Sequence, residues 1–405
     1  MSGGLVQLLA YGPQDSEIIS DTKGKNIFDD AFQAHESYGF QIHELDLTTS
    51  YGVSYGQTAE VKIPRKGDLV GNLFIELEMK RGTGSTYYPG EAFLEKIELF
   101  IGSQLVDTHT SETLRIKNDL FLSGEDSENY RRNVDFTDSE ITGTLKKLRV
   151  PMRFFFNNRK KPFPLIALTQ QDLRIVFKFA DSVKGIDRSY EPDVKIYGEF
   201  FYLSTERRKQ VAVDPHEILI EQTQMYQETI QISQVKTVTT KSQLFFTGPV
   251  KYLAVACTRK LSHGIFTGGM ESETDELLSP VLDISLALNN HALYDRMPAD
   301  FMNRVTPTMT DGTRVPPAGV YFIPFGFEPG NALAPSGSLN FSRVDQILLS
   351  TTLKSAKPGA HRSLDLTDPR TTVAAAADLN KLMVIGVSWN VLRIQNGVSG
   401  VKYAN

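Results

Sequence analysis

Histidines come first among the residues that could do chemistry here, because a metal site needs several of them close together. The nearest two are eight positions apart, whereas a metal-binding strand carries two closely spaced histidines with a carboxylate and a third histidine nearby. We therefore predict surface or loop positions for all of them, and we expect no metal and no other cofactor. The seven are His35, His43, His109, His216, His263, His291 and His361.

Neither a nucleophile elbow nor a phosphate-binding loop can be recognised in the sequence. Gly52-Val-Ser-Tyr-Gly56 has the Gly-x-Ser-x-Gly sequence, but a nucleophile elbow also leads directly into a helix, and helical patterns are scarce in this chain. No glycine-rich loop is closed by Gly-Lys-Ser or Gly-Lys-Thr. Glu76 and Glu78 fall on one face of a predicted strand, but glutamates are common on solvated strand faces and need no catalytic role. Cys257 lies in an apolar run, which predicts a buried, unreactive thiol and a reducing site of folding. We predict that the protein is not an enzyme.

Length and charge narrow the class further. A chain of 405 residues with 40% hydrophobic content is long enough for two domains, each with its own core. The formal net charge of -5 lacks the basic excess of proteins that coat nucleic acid, so we expect no sequence-specific nucleic-acid partner. No segment approaches the roughly 20 apolar residues of a membrane-spanning helix, and the first residues do not resemble a secretory signal. We expect a soluble protein with at most peripheral membrane contact.

Strand patterns recur along the whole chain, while long apolar patterns at helical spacing are scarce. In Leu173–Phe179 every second residue from Leu173 onward is apolar, whereas Arg174 and Lys178 fall on the opposite, wet face. These patterns predict an all-β fold. The clearest predicted strands are 73–79, 97–101, 173–179, 194–200 and 382–389, and the best helical candidates are Ser111–Phe121 and Pro298–Asn303.

The two halves of the chain can be laid over each other. Gly102–Asp107 matches Asn290–Asp295 at a shift of 188 positions, and Tyr197–Leu203 matches Ile385–Val391 at the same shift. Leu173, Ile175 and Phe179 match Ile347, Leu349 and Leu353 at a shift of 174, with loops of unequal length absorbing the difference. Because identities are few, chance similarity between β sequences stays an alternative to duplication.

A polar stretch at residues 204–210, followed by a turn at Asp214–His216, marks the natural boundary between the halves. Each half holds roughly 190 residues, which suits an eight-stranded jelly roll with two Greek keys. We predict an all-β chain of two consecutive eight-stranded antiparallel jelly rolls, each a β-sandwich. The predicted divisions are an N-terminal arm at 1–25, a first jelly roll at 26–210 and a second at 211–405.

The segment Pro335–Asp345 has the pattern of a turn that enters a strand, with no chemical site in it. It resembles the Pro-Ser-Gly and Asn-Phe-Ser-Arg signature of the major capsid proteins of nucleocytoplasmic large DNA viruses, a double jelly-roll family that includes those of iridoviruses and phycodnaviruses. Residues 3–15 resemble that family's opening pattern, and four segments at 101–109, 150–156, 164–168 and 390–394 resemble further landmarks. The matching positions are Gly3, Gly4, Tyr11, Gly12, Gln14, Asp15, Gly67, Asp68, Gly102, Asp107, Pro164, Pro335, Gly337, Asn340, Phe341, Arg343 and Asp345.

The resemblance covers nearly the whole chain and implies a major capsid protein. It implies homotrimers that present six similar domains as pseudo-hexagonal capsomers and tile the icosahedral shell of a double-stranded DNA virus. Implied partners are further capsomers of the lattice, minor capsid or cement proteins, penton proteins and internal membrane proteins. The implied location is the virion capsid, after synthesis and assembly in the host cytoplasm. A minor or host-attachment capsid protein of the same fold is one alternative, and a carbohydrate-binding or carbohydrate-processing β-sandwich protein is another.

Candidate contacts between subunits come from charged and apolar clusters. Such clusters are either solvated surface or complementary patches that guide neighbouring subunits into register. The family places the N-terminal arm on the inner side of the shell, so its leucines are candidates to dock there. The candidate contact residues are Leu5, Leu8, Arg159, Lys160 and Lys161, and the acidic clusters lie at 125–128 and 271–276.

One tripeptide, Asn340-Phe-Ser342, fits the N-glycosylation pattern. We expect it to remain unmodified, because an Asn in a turn tends to hydrogen-bond nearby backbone. The sequence therefore predicts that the Asn340 side chain stabilises the turn itself.

Overall fold

The computed structural model describes residue 9 and residues 35–48, 53–83, 88–136, 140–232, 237–259, 281–317, 319–354 and 378–403. Residues 38–405 form one compact unit, and residues 1–37 form another. Apart from residue 9, the arm predicted at 1–25 lies outside the described residues. No helix among these ranges is long and apolar enough to cross a membrane.

The first half folds as a two-sheet sandwich. One sheet, called 1A, has the strand order β1-β9-β4-β7, and the other, 1B, has the order β2-β3-β8-β5-β6. Neighbours in these sheets are antiparallel and, apart from the pairs β2–β3 and β5–β6, come from distant parts of the chain, which is the arrangement of a jelly roll. The strands are β1 Tyr38–Leu45, β2 Leu47–Thr48, β3 Thr58–Lys62, β4 Leu69–Lys80, β5 Leu94–Ile101, β6 Gln104–Thr110, β7 Leu145–Pro151, β8 Leu173–Phe179 and β9 Asp193–Leu203.

The second half repeats this order. Sheet 2A runs β10-β18-β12-β15, with β16 on β12 and β19 on β18, and sheet 2B runs β11-β17-β13-β14. Strand by strand, 2A corresponds to 1A and 2B to the main strands of 1B. The strands are β10 His216–Ile232, β11 Thr237–Gln243, β12 Pro249–Arg259, β13 Val281–Leu288, β14 His291–Pro298, β15 Val320–Pro324, β16 Leu339–Asn340, β17 Ile347–Lys354, β18 Asp378–Gln395 and β19 Val398–Val401. The predicted all-β double jelly roll is therefore confirmed.

Strand registers show how closely the halves correspond. Leu173 of β8 pairs with Ile101, the last residue of β5, just as Ile347 of β17 pairs with Leu288, the last residue of β13. The predicted shift of 174 is therefore confirmed. In the hairpins that follow β5 and β13, the two-residue turns are 102–103 and 289–290, so the shift there is 187, one less than predicted.

Glycines in β9 and β18 support the shift of 188 at the end of each half. Gly198 lies opposite Leu73 of β4, and Gly386 lies opposite Leu253 of β12. A Cβ on Gly198 would come within 2.9 Å of the Leu73 side chain, and one on Gly386 within 3.3 Å of Leu253. Both jelly rolls thus bring a leucine over the same glycine at the same place in the fold.

Short helices lie between the strands. The predicted helix Ser111–Phe121 has those bounds in the structure. Its N-cap is Thr110, whose side chain accepts a hydrogen bond from the Thr113 N–H. The prediction at Pro298–Asn303 is partly right, because Pro298 ends β14 and helical structure begins at Ala299. The helices are α1 Pro89–Phe93, α2 Ser111–Phe121, α3 Gly124–Val134 and α4 Thr205–Val213, and a π-helical turn Phe301–Val305 continues into the α-helical turn Thr306–Thr308.

Helix α2 packs between the two jelly rolls. Leu114 belongs to the apolar core of the first jelly roll. Ile116 and Leu120 lie on the other side of the helix and pack on the outer face of sheet 2A, against residues such as Tyr252 and Phe322. An insertion of the first jelly roll is thus the layer that joins it to the second.

Truncating Leu120 to Ala should weaken this joint. We expect a loss of about 2–5 kcal/mol in the free energy of unfolding, because Leu120 is fully buried and a cavity would remain. Urea unfolding followed by circular dichroism would measure it. Leu105→Ala, at a leucine that is 45% exposed, is the matched control and should change stability by much less. Equal losses in the two variants would contradict the packing role of α2.

Candidate functional site

The residues matched to the family signature are spread over several turns. Eight of the predicted residues lie outside the described residues, namely Gly3, Gly4, Leu5, Leu8, Tyr11, Gly12, Gln14 and Asp15. The others fall at the starts of strands, in turns and in one basic loop of the two jelly rolls, except Asp107, which lies within β6. They form structural corners rather than one cleft.

Gly67 and Asp68 make the corner before β4. Asp68 is buried, and its carboxylate accepts a hydrogen bond of 2.9 Å from the Leu203 N–H and pairs with Arg208 of α4 at 2.9 Å. A Cβ on Gly67 would come within 2.8 Å of the Phe200 Cβ, so only glycine lets the chain approach β9 this closely. This corner ties the start of β4 to the end of the first jelly roll.

The signature segment Pro335–Asp345 makes a corner of the second jelly roll. Phe341 is buried and meets the Phe325 ring edge to face at 5.6 Å, whereas Pro335, Arg343 and Asp345 are exposed. The Asn340 side chain accepts a hydrogen bond of 3.1 Å from the Ser342 N–H, as the sequence predicted. The segment is a 3-10 turn, Phe341–Arg343, placed directly before β17.

Pro164 occupies the same place in the first jelly roll. It precedes the 3-10 turn Leu165–Ala167, which leads toward β8. Phe163 bridges to Val70 of β4, and Leu339 pairs with Val250 of β12, so both turns are attached to the same strand of their sandwich. The Pro164 and Pro335–Asp345 segments therefore lie at equivalent places in the two jelly rolls.

Asp107 joins the two jelly rolls. Its carboxylate lies on β6, is buried, and accepts a hydrogen bond of 2.8 Å from the Thr223 N–H of β10. Burial acts to raise the pKa of Asp107, but the adjacent His109 at 3.1 Å and the hydrogen bond from Thr223 outweigh it and leave that pKa below its ordinary value. Gly102, at the start of the same hairpin, has φ +59, which favours glycine.

The basic turn at 159–161 is largely engaged within the chain. Arg159 pairs with the buried Glu199 at 2.7 Å, and the Lys161 ammonium donates to the Leu219 carbonyl oxygen of β10 and, at 3.4 Å, to that of Ala332. Burial lowers the pKa of Lys161. Lys160 is exposed. Arg159 and Lys161 therefore both make contacts within the single chain that stabilise its fold.

Glu91 is a buried carboxyl that the sequence analysis missed. It lies in α1 and accepts hydrogen bonds from Asn118 at 2.9 Å and from the Tyr130 hydroxyl at 2.5 Å. Burial raises the pKa of Glu91 to about 7, although Arg115 and these hydrogen bonds act in the opposite direction. Its one signal in the sequence is its position directly before the apolar run Ala92–Leu94.

Chemically, these arrangements hold the fold together. Glu76, expected on a solvated face, is buried and pairs with Arg149 at 2.8 Å and with Lys147 at 3.4 Å. Within the described ranges, no group of three histidine, cysteine or acidic side chains could hold a metal ion. His109 is buried, which corrects the expectation of a surface or loop position for every histidine.

Comparison with known proteins decides the family. Residues 29–204 match the family model for the major capsid protein N-terminus, and residues 206–400 match that for the large eukaryotic DNA virus major capsid protein. The major capsid protein of Paramecium bursaria Chlorella virus 1 is 31% identical over all of both chains. The chain belongs to the major capsid proteins of large eukaryotic DNA viruses. It is a structural component of the virion capsid.

Other members and solved structures agree with this assignment. The major capsid protein of Pyramimonas orientalis virus is 26% identical over all of both chains. The solved capsid protein VP54 of PBCV-1 superimposes with a TM-score of 0.82 and 28% identity, covering 94% of this chain and all of VP54. The Faustovirus major capsid protein shares the fold, with a TM-score of 0.67 at 10% identity, over 97% of this chain and 96% of that protein.

The signature corner of this capsid protein can be tested at Gly337. Its φ of +140 disfavours a side chain, and a Cβ at this position would lie only 2.8 Å from the Gly326 Cα. We expect Gly337→Ala to cost about 1–3 kcal/mol in thermal unfolding measured by calorimetry. Gly400→Ala is the control, because nothing lies within 4 Å of its Cβ position. An unchanged melting temperature for Gly337→Ala would refute the close approach.

Glu91 should make stability depend on pH. Its folded pKa of about 7 lies above the ordinary value of 4.5, so the folded state binds the proton more tightly and loses stability as pH rises from 4.5 to 7. Glu91→Gln removes this loss, so we expect the variant to be more stable than the parent chain at pH 8, by up to about 3 kcal/mol. The difference should shrink toward pH 4.5.

Urea midpoints at several pH values would measure this effect. Glu125→Gln, on the exposed side of α3, is the matched control and should leave the pH profile unchanged. Parallel profiles for the parent chain and Glu91→Gln would show that Glu91 ionises normally in the folded protein.

Proposed function

We propose that this major capsid protein forms homotrimers, which act as pseudo-hexagonal capsomers and tile the icosahedral shell. The observation that supports this most directly is the pair of equivalent jelly rolls packed side by side through α2. Three copies would place six similar domains around one axis while needing only three-fold symmetry. Each trimer interface would be large and apolar, as in obligate oligomers.

The chain divides, in this proposal, into an arm at 1–25 and jelly rolls at 26–210 and 211–405. Helix α4 Thr205–Val213 spans the proposed boundary. The two family models meet close to it, since one match ends at residue 204 and the other begins at 206. A helix whose residues are mostly exposed suits a connection between two separately closed sandwiches.

The proposed work of the protein is assembly without catalysis. Its partners would be other capsomers of the lattice, minor capsid or cement proteins and penton proteins, with internal membrane proteins beneath the arm, and it would assemble in the host cytoplasm. The signature residues would act as structural corners, since Asp68, Phe341 and the turn at Pro164 hold strands in place. Of the proposed contacts between subunits in the basic turn, Arg159 and Lys160 are exposed, and Arg159 is also paired with Glu199.

Electron microscopy and light scattering of the purified protein test the proposal. We expect particles of three-fold symmetry with a hexagonal outline and a molar mass three times that of the 45.2 kDa chain. The mass should hold upon dilution, because an obligate interface dissociates little. Monomers at concentrations well above micromolar, or dimers, would count against the trimeric capsomer.

A further inference from the structure

Within one chain, the two jelly rolls meet through a helix that lies on a sheet. Helix α2 follows β6 and covers the outer face of sheet 2A with Ile116 and Leu120. The covered residues alternate along β12, β15 and β18, and they include Ala254 and Ile385. At the edge of this contact, Lys117 of α2 donates to the Thr223 hydroxyl of β10 at 2.9 Å. Both faces of α2 are therefore used.

Among the described residues, the matching outer face of sheet 1A stays partly exposed, and we call it the open face. The correspondence of Gly198 with Gly386 places Phe74 at the position of Ala254 and Tyr197 at that of Ile385. These two rings stack at 5.3 Å, and both are only partly buried. Ile42 of β1 lies opposite Glu199 of β9, at the position that Thr223 has in sheet 2A, and is 50% exposed.

An apolar stripe extends this open face along the edge strand β1. Tyr38, Phe40 and Ile42 point to the same side, and each is at least half exposed. Such a stripe on an edge strand usually marks a contact surface. The carboxylates beside it already have partners, since Glu76 pairs with Arg149 and Glu199 pairs with Arg159. Covering this face would therefore leave these two carboxylates paired.

The segment that corresponds to α2 in the second jelly roll also has an exposed side. The segment 301–309, comprising the π-helical turn, the α-helical turn and Met309, follows β14 as α2 follows β6. One side packs on its own jelly roll, with the Thr306 hydroxyl donating to the Phe322 carbonyl oxygen at 2.7 Å. The other side presents Phe301, Val305 and Met309, of which Met309 is 71% exposed.

We infer that the outer face of sheet 1A receives segment 301–309 of a second copy of this chain. The inference rests on the proposed trimer and names the surfaces that close it. In each copy, α2 covers the outer face of sheet 2A. The corresponding sheet, 1A, and the corresponding helical segment, 301–309, each keep an exposed side. Joining the open helix of one copy to the open sheet of the next repeats the covered contact between chains. A contact of this head-to-tail kind closes into a ring when its rotation returns to the first copy.

Single substitutions at the two open surfaces test the inference. Ile42→Arg and Met309→Arg should each raise the protein concentration needed for half-maximal trimer formation at least tenfold, measured by mass photometry. Both side chains are at least half exposed, so the folded monomer should tolerate the change. Phe245→Arg is the matched control, because Phe245 is 76% exposed and lies on neither surface. It should assemble as the parent chain does.

A second measurement links the two surfaces directly. Hydroxyl-radical footprinting should oxidise Met309 several times faster in the Ile42→Arg variant than in the parent trimer, because losing the sheet contact uncovers the helix. Trimers of undiminished stability in both arginine variants, or Met309 oxidation that Ile42→Arg leaves unchanged, would overturn the inference. If the parent chain itself is not trimeric, the proposed trimer fails instead, so the two failures can be told apart.

Discussion

Covering the outer face of a β-sandwich sheet is the constraint on which the rest of this structure depends. The inner faces of a jelly roll bury one another, but an apolar outer face needs an additional layer. Sheet 2A has such a face, which includes Tyr252, Phe322 and Ile385, and α2 of the other jelly roll supplies the layer. Because that helix is also packed on its own jelly roll through Leu114, the two sandwiches cannot separate without exposing Ile116, Leu120 and the apolar face that they cover. The single compact unit of residues 38–405 follows from this shared helix.

Polar groups placed around this joint give it a fixed geometry. Asp107 accepts a hydrogen bond from the Thr223 N–H, and Gln222 donates to the Val106 carbonyl oxygen at 2.7 Å, so β6 and β10 are held in one register. On the other side of the joint, Lys381 of β18 pairs with Glu112 of α2 at 3.2 Å. Buried polar groups gain little net stability, but they are costly when unpaired, and so they select one arrangement of the two jelly rolls.

Sequence patterns predicted the secondary-structure elements whose bounds depend on local periodicity. The strand at Leu173–Phe179 and the helix at Ser111–Phe121 have the predicted bounds, because alternation and capping are visible within a few residues. The partners of Lys161 and Glu91 were not predictable in this way. Lys161 contacts a carbonyl 58 positions away, and Glu91 accepts from Tyr130, 39 positions away. Loop lengths decide these contacts, and no single-sequence pattern reports them. The hairpin shift of 187, one residue less than predicted, was not predictable either. Both hairpins, β5–β6 and β13–β14, contain β-bulges.

The two halves of the chain differ in the residues on the outer faces of the equivalent sheets 1A and 2A, and the difference has a physical reason. Ala254 and Ala256 of β12 are fully buried, and their small side chains let α2 approach the sheet closely and permanently. At the corresponding positions of β4 stand Phe74 and Glu76, the one stacked on Tyr197 and the other held by Arg149 and Lys147. Stacked rings and satisfied ion pairs can be exposed to water, whereas a broad face of alanine, isoleucine and phenylalanine would aggregate. A face that stays partly exposed in the single chain is therefore built differently from one covered by the same chain during folding. The two equivalent sheets of this capsid protein differ in that way.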